Sequence, residues 1–346
     1  MVLHILPDSA VDPKQKFLGS TKDLRGRTEY FKVRGFDSEE IVVPRRRDSM
    51  LKRLLATKDL SEFQAVFIEL PLYPQTIRYL HRNYPGLRIF VRSINAEFYH
   101  DWHYVISGIK HGYWKRAFFY AFFSWRRLYQ DFACSHGADH VLSITEWEVQ
   151  HYWRFMAGKG KAIAAPYFVP SEYCLDILDQ PKSNICVCLL STIMNSFLAD
   201  AAKNFNQVIL GLGKDLPDWD FYVTGANPPM PNVPLPRLKA TGLLDSPFDI
   251  LARSRAMAIL SDFGFGFKTK ILDAILHKCF VLVTSGLYDR LPEVIRPFCF
   301  VVDPADPDSF RRALESCLNP FPNVDANTLL RAQAFAALDK AFDGVD

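Results

Sequence analysis

Short apolar runs alternate with longer amphipathic stretches along the chain, and their spacing predicts strands and helices in turn. Val2–Leu6 reads as a first strand, followed by a polar loop from Lys14 to Arg27, a helix, and a second strand at Glu40–Val43. Strands at Ala65–Leu70 and Arg88–Ser93 flank a helix that Pro74 opens and Asn83 closes, since proline suits the first helical turn. A long helical region then leads to a strand at His140–Ile144, a helix from Glu146 and a strand at Lys161–Ala164. Pro166, Pro170 and Pro181 punctuate the next stretch as a linker would. A second series has strands at Asn184–Leu190, Asp220–Thr224, Leu238–Thr241, Met257–Ser261, Val281–Thr284 and Cys299–Val302, with a helix near Ala199–Leu212.

Apolar strands separated by helices belong to parallel sheets covered on both faces. The expected fold is α/β, with two tandem Rossmann-like domains: residues 1–168, a linker at 169–183, residues 184–325, and a C-terminal helical segment at 326–346. Ligands bind open sheets of this kind beyond the carboxyl ends of the strands, so the active site is expected in a cleft between the domains.

At 346 residues and 49% hydrophobic, the chain has material for two cores. Aromatic residues reach 14%, Phe alone numbering 28, and part of that excess is expected to face something other than a core. The net charge of +3 conceals an asymmetry: residues 1–130 hold 22 Lys+Arg against 13 Asp+Glu, whereas residues 131–346 hold 19 against 25. The two halves are therefore expected to meet different partners. Seven cysteines, with no C-x-x-C pair and no histidine at zinc-ligand spacing, read as reduced, buried thiols of a cytosolic protein. Met1 to Leu6 reads as a strand running into Pro7, not as a signal peptide, and no run of about 18 apolar residues offers a membrane span.

The densest chemistry lies at residues 262–284, DFGFGFKTKILDAILHKCFVLVT. Gly264 and Gly266 let backbone approach a ligand, and a helix starting near Lys268 and Lys270 points free N–H groups and cations at it. Phosphate is the natural guest. Asp273, three residues beyond Lys270, shares its helix face and suits sugar hydroxyls, so the pair points to a nucleotide-sugar. The plain alternative is a strand-to-helix turn with solvated lysines. Asp218-Trp219-Asp220 has the form of a D-x-D metal motif, but it enters a strand and reads as a loop detail; no metal and no cofactor are expected.

Several separated segments resemble the GT-B glycosyltransferases, the large group with many bacterial polysaccharide and lipopolysaccharide enzymes. "YVTG" (Tyr222–Gly225) is similar to that family's strand ending in glycine, and "ATGLLDSPFDILARSRAMAILS" to its next segment, helix and strand. "GFGFKTKILDAILHKCFVLVT" resembles its G-x-G-x-K-x-K-x-x-E-A block, and "VVDPADPDSFRRALE" its closing strand and helix. In the N-terminal half, "VRSINAEFYH" and "HVLSITEWE" are similar to further family segments. The resemblance implies donor binding by Gly225, Gly264, Gly266, Lys268, Lys270 and Asp273, with Gly19 and Ser20 in a flexible loop facing the donor. Two departures stand out. Many relatives carry an E-x7-E pair, and here Asp273 holds the second position while Phe265 holds the first. Relatives also place Arg and Lys after the first strand of the C-terminal domain, where this chain has Ser191, Thr192, Ile193, Met194 and Asn195 and no base until Lys203.

A general base for an inverting transfer is expected from the N-terminal half, among Glu97, His100, Asp101 and His103, close to Asn95 after a strand end. Residues 110–129, KHGYWKRAFFYAFFSWRRLY, fence an apolar aromatic run with cations. One reading is a core helix with snorkelling ends. The other is peripheral contact with an anionic membrane through Trp114, Lys115, Arg116, Phe119, Phe122, Trp125 and Arg126, extended by Arg45, Arg46 and Arg47. Nucleic acid is not expected, because these cations accompany a continuous apolar block. The functional expectation is a hexosyltransferase-like glycosyltransferase, metal-independent, on the cytoplasmic face of the bacterial inner membrane, moving sugar from a nucleotide-sugar to a glycan or lipid-linked acceptor. A nucleotide-sugar epimerase on the same fold and a catalytically weakened binding partner are the alternatives.

Overall fold

The computed structural model describes residues 1–346 apart from 13–17, 46, 111, 176, 191–195, 216, 263–264 and 346. Lys14, Arg46, Gly264 and the stretch Ser191 to Asn195 thus lie outside the described residues. The chain divides into two compact units, one of Met1–Ser171, Gly264–Phe267 and Thr328–Asp346, the other of Glu172–Phe263 and Lys268–Asn327.

The first unit contains β1 (Val2–Pro7), β2 (Ser38–Val43), β3 (Ala65–Glu69), β4 (Arg88–Ser93), β5 (His140–Ser143) and β6 (Ala162–Ala164). They form one six-stranded sheet in the order β2-β1-β3-β4-β5-β6, every neighbour parallel. Its helices are α1 (Gly19–Arg34), α2 (Asp48–Ala56), α3 (Pro74–Asn83), α4 (Glu97–Lys110) and α5 (Trp114–Gly137). The short α6 (Glu146–Glu148) then runs through a π-helical turn into α7 (Arg154–Ala157), and α8 is Ser171–Cys174. β1 and β3 are buried at every position, as strands covered on both faces must be. One face packs Leu3, Ile5, Val66, Ile68, Ile89 and Val91 against Leu51 and Leu55 of α2 and Ile77 and Leu80 of α3.

The second unit contains β7 (Ser183–Cys188), α9 (Ser196–Leu212), β8 (Asp220–Thr224), β9 (Leu238–Gly242), α10 (Phe248–Arg253), β10 (Ser254–Ile259), α11 (Thr269–Leu276), β11 (Phe280–Val283), α12 (Ser285–Tyr288), β12 (Cys299–Val301) and α13 (Pro307–Ser316). Its six strands are also all parallel, in the order β12-β11-β10-β7-β8-β9. Phe205, Phe221 and Phe310 lie at the centre of its core. α14 (Ala326–Ala341) closes the chain, and from Thr328 on it belongs to the first unit, where Phe342 stacks on Phe90 with centroids 4.2 Å apart.

One expected element is overturned. Gly19 to Asp23 is not a loop: these residues open α1, and Thr21, Lys22, Asp23 and Arg27 are buried. Asp23 accepts bonds from Arg92 (3.0 and 2.7 Å) and pairs with Arg27 (2.8 Å), while Arg27 makes two 2.8 Å bonds to Glu69, which also bonds His4 at 3.0 Å. Burial alone would raise the Asp23 and Glu69 carboxyls, but the arginines outweigh it and hold both below their ordinary values. The first turns of α1 bury Thr21, Lys22, Asp23 and Arg27 around the single apolar Leu24, so they show no apolar stripe, which is why the sequence reads as a polar loop there.

Candidate functional site

In the second unit, strand order reverses between β7 and β10, the switch point where open α/β sheets leave a crevice. Of the donor residues singled out in the sequence, Gly225, Lys268, Lys270 and Asp273 belong to this unit, and Gly19, Ser20 and Gly266 to the first. Thr224, at the end of β8, accepts from Leu190 N at 2.9 Å, and Lys270 Nζ donates to Leu189 O at 3.0 Å, so Leu189 and Leu190, just past β7, are held from both sides. Gly225 follows at φ +104°, a conformation only glycine adopts freely, and its N–H donates to Gly242 O at 2.8 Å. Lys268 is the cap residue of α11 and Lys270 lies in its first turn, which has no acidic residue. Burial pushes the Lys270 amine down to about 8, with Cys188 and Asp273 only partly offsetting it. Asp273, one turn further on, is buried.

In the first unit, the turn after β4 is built around Glu148 of α6. Its carboxylate accepts from Ala96 N at 2.6 Å and Ser143 Oγ at 3.1 Å, and burial pushes it up to about 7 despite those bonds. With its amide turned to donate, Asn95 reaches Phe265 O at 2.8 Å and Ile94 O at 2.9 Å. Gly266 at φ +79° passes so close that a Cβ there would lie 2.4 Å from Ile94 O. Only glycine allows this approach, which is to protein backbone. The Phe265 ring then packs among His103 (4.5 Å), Tyr99 (5.2 Å) and Trp147 (5.3 Å). Where an E-x7-E enzyme has its first carboxylate, this chain has a packed aromatic ring.

The four expected acid–base residues all lie on α4, yet His100, Asp101 and His103 are committed to different neighbours, since helix residues point 100° apart. His100 packs edge-on against Tyr104, His103 lies on Phe265, and Asp101 pairs with Arg127 of α5 at 3.5 Å. Glu97 opens the helix, buried, near Asp131 and Glu148.

No family model matches the chain, and no curated protein does. Solved structures do. Sucrose-phosphate synthase from Thermosynechococcus elongatus superimposes with a TM-score of 0.60 at 12% identity, over 99% of this chain and 94% of that one. The lipopolysaccharide outer core galactosyltransferase WaaB gives 0.54 at 11% identity over 99% of both chains. HepE from Anabaena, solved in complex with UDP, gives 0.53 at 9% identity over 99% of this chain and 95% of that one. The fold is GT-B.

Within the GT-B fold the seven residues expected at a membrane are all exposed. Trp114 (65%), Phe118 (79%), Phe122 (69%), Trp125 (69%), Tyr129 and Phe132 recur every three or four residues and make one stripe along α5. Trp102, Ile106 and Ile109 do the same on α4. The hairpin packs on its other side, where Gly108 meets Ala117, and Asp131 of α5 accepts from Tyr152 Oη of the π-helical turn at 2.5 Å. Sequence reasoning missed Glu148 and Asp131, because their weight comes from burial. A carboxylate three residues after Thr145, whose hydroxyl caps α6, was the one available signal.

Proposed function

We propose that this chain is a glycosyltransferase that moves a sugar from a nucleotide-sugar to a glycan or lipid-linked acceptor, without a metal ion, in bacterial surface-polysaccharide synthesis. The carrying observation is the start of α11. Helix dipoles disfavour cations at their N-termini, yet Lys268 and Lys270 both stand there with no acid in the first turn. An anion at the switch point relieves Lys270. Among the described residues Lys270 donates only to Leu189 O, and a diphosphate next to it restores the proton affinity that burial takes away. Gly225 admits the donor to the backbone, and Asp273 accepts from ribose hydroxyls. The UDP bound by HepE supports a nucleotide diphosphate as leaving group, and WaaB, a lipopolysaccharide outer core galactosyltransferase, supports a surface glycan as acceptor. Glu97 and His103 serve the acceptor side, and Gly19 and Ser20 contribute through the first turn of α1. The exposed stripe of the α4–α5 hairpin, with Lys110, Lys115, Arg116 and Arg126 around it, seats the enzyme on the anionic cytoplasmic face of the inner membrane.

A thermal-shift panel of nucleotides and nucleotide-sugars, followed by a sugar-transfer assay with and without EDTA, tests this reading. At least one nucleotide-sugar raises Tm, turnover survives EDTA, and Asp273→Asn weakens donor binding by about 1–3 kcal/mol. The reading fails if no nucleotide-sugar shifts Tm and none is consumed. The packed Phe265 ring favours one second reading, a partner that binds donor with weakened catalysis; donor binding without turnover would select it.

A further inference from the structure

Beside the aromatic stripe lies a basic cleft that the transfer reaction does not use. A cavity of about 420 Å³ opens between α2 and α3, lined by Lys52, Gln75, Arg78, Tyr79, Arg82 and Asn83. Three of its six lining residues are cations, and none is acidic. The one acid on these two helices, Asp48, is already engaged: its carboxylate accepts from the N–H groups of Gln75 and Thr76 at 2.8 and 3.0 Å and from Thr76 Oγ1 at 2.7 Å. No ion pair to Lys52, Arg78 or Arg82 is present among the described residues. Such a cleft offers several charged and neutral donors to a single tetrahedral oxyanion.

Its position supplies the second half of the argument. Arg78 Nη2 donates to Tyr129 Oη at 3.2 Å, and Tyr129 is part of the exposed α5 stripe, so the cleft opens at the edge of the aromatic face. The hairpin face itself carries cations and no exposed acid: Asp101 and Asp131, the only carboxylates between Phe98 and Ala138, are both buried and bonded. Aromatic bulk at headgroup depth with a donor-rich basic seat beside it matches an anionic lipid surface, and its uniform positive sign opposes pairing with a second copy.

We propose that the α2–α3 cleft seats the phosphate of an anionic phospholipid headgroup and so orients the hairpin on the membrane. This rests on the membrane reading above and specifies where the lipid is read. Co-sedimentation with vesicles of phosphatidylcholine alone, or with added phosphatidylglycerol, tests it on four proteins: the full chain, Arg78→Gln/Arg82→Gln, Phe122→Ser/Trp125→Ser, and a charge control, Lys239→Gln/Arg253→Gln. All substituted residues are exposed, and a circular-dichroism melt checks folding. The full chain and the control bind the phosphatidylglycerol vesicles equally. The cleft variant loses about tenfold or more of that partitioning while keeping whatever binding phosphatidylcholine supports, and the aromatic variant loses both. Equal loss in cleft variant and control would reduce the effect to net charge and overturn the proposal. Binding of the cleft variant at full strength would overturn it while leaving the membrane reading intact. No vesicle binding by the full chain would overturn both, and a concentration-dependent dimer abolished by Phe122→Ser/Trp125→Ser would then assign the face to a second copy.

Discussion

At the scale of single residues, the first unit depends on carboxylates held in opposite ways. Asp23 and Glu69 are kept charged by arginines, so their folded values lie below the ordinary ones; their stabilisation is present above the ordinary carboxylate range and is lost as pH falls through the lowered values. Glu148 is the reverse. Its folded value of about 7 exceeds its ordinary 4.5, so the folded chain retains a proton that the unfolded chain has released. That contribution is complete below pH 4.5 and disappears as pH rises through about 7, a loss of roughly 3 kcal/mol if the whole shift is realised. Glu148→Gln keeps the shape and an acceptor for Ala96 N, so it should flatten the decline in unfolding free energy between pH 5 and 8. Urea melts across that range on both proteins give the comparison, and parallel slopes would refute the assignment. None of this was legible from residue types: Glu148 reads as an ordinary helix-start glutamate until the strands around it exclude water. Phe265 was legible as a departure from the E-x7-E pattern, while its ring partners Tyr99, His103 and Trp147, more than a hundred positions away, were not.

At the scale of elements, periodicity served well where one face is apolar and failed where it is not. The α3 helix, Pro74–Asn83, and strands such as β4 and β8 fall where apolar spacing and proline put them. The start of α1 was read as a loop because its buried face is ionic, and only the neighbours Glu69 and Arg92 make that face tolerable in a core. The α4–α5 hairpin was ambiguous for a different reason: an aromatic run fits a core and a membrane surface equally, and exposure is a property of the fold. Its tight side depends on Gly108, where an added Cβ would lie 3.0 Å from the Ala117 Cβ and 3.1 Å from the Ala117 backbone nitrogen. Gly108→Val should therefore cost about 1–3 kcal/mol through overpacking. Urea denaturation measures it, and an unchanged midpoint would mean the two helices can separate freely.

At the scale of the whole molecule, chain order and compact units part company. Phe342, just past α14, lies within ring-contact distance of Phe31, Phe67 and Phe90 in the first unit, so the end of the chain completes the core begun by β1. Phe342→Ala should cost about 3–5 kcal/mol and speed hydrogen exchange in β1, β3 and β4, with β7 to β12 unaffected. Uniform acceleration in both sheets would contradict that division. What the sequence alone determined is the pair of parallel sheets and where most of their strands and helices begin and end. These follow from apolar runs, glycines and helix starts, which are local in the chain. What only the tertiary structure decided is which charges are buried together, which aromatic residues meet water, and which distant segments complete each unit. Burial depends on neighbours that the chain brings from far away, and no local pattern encodes them.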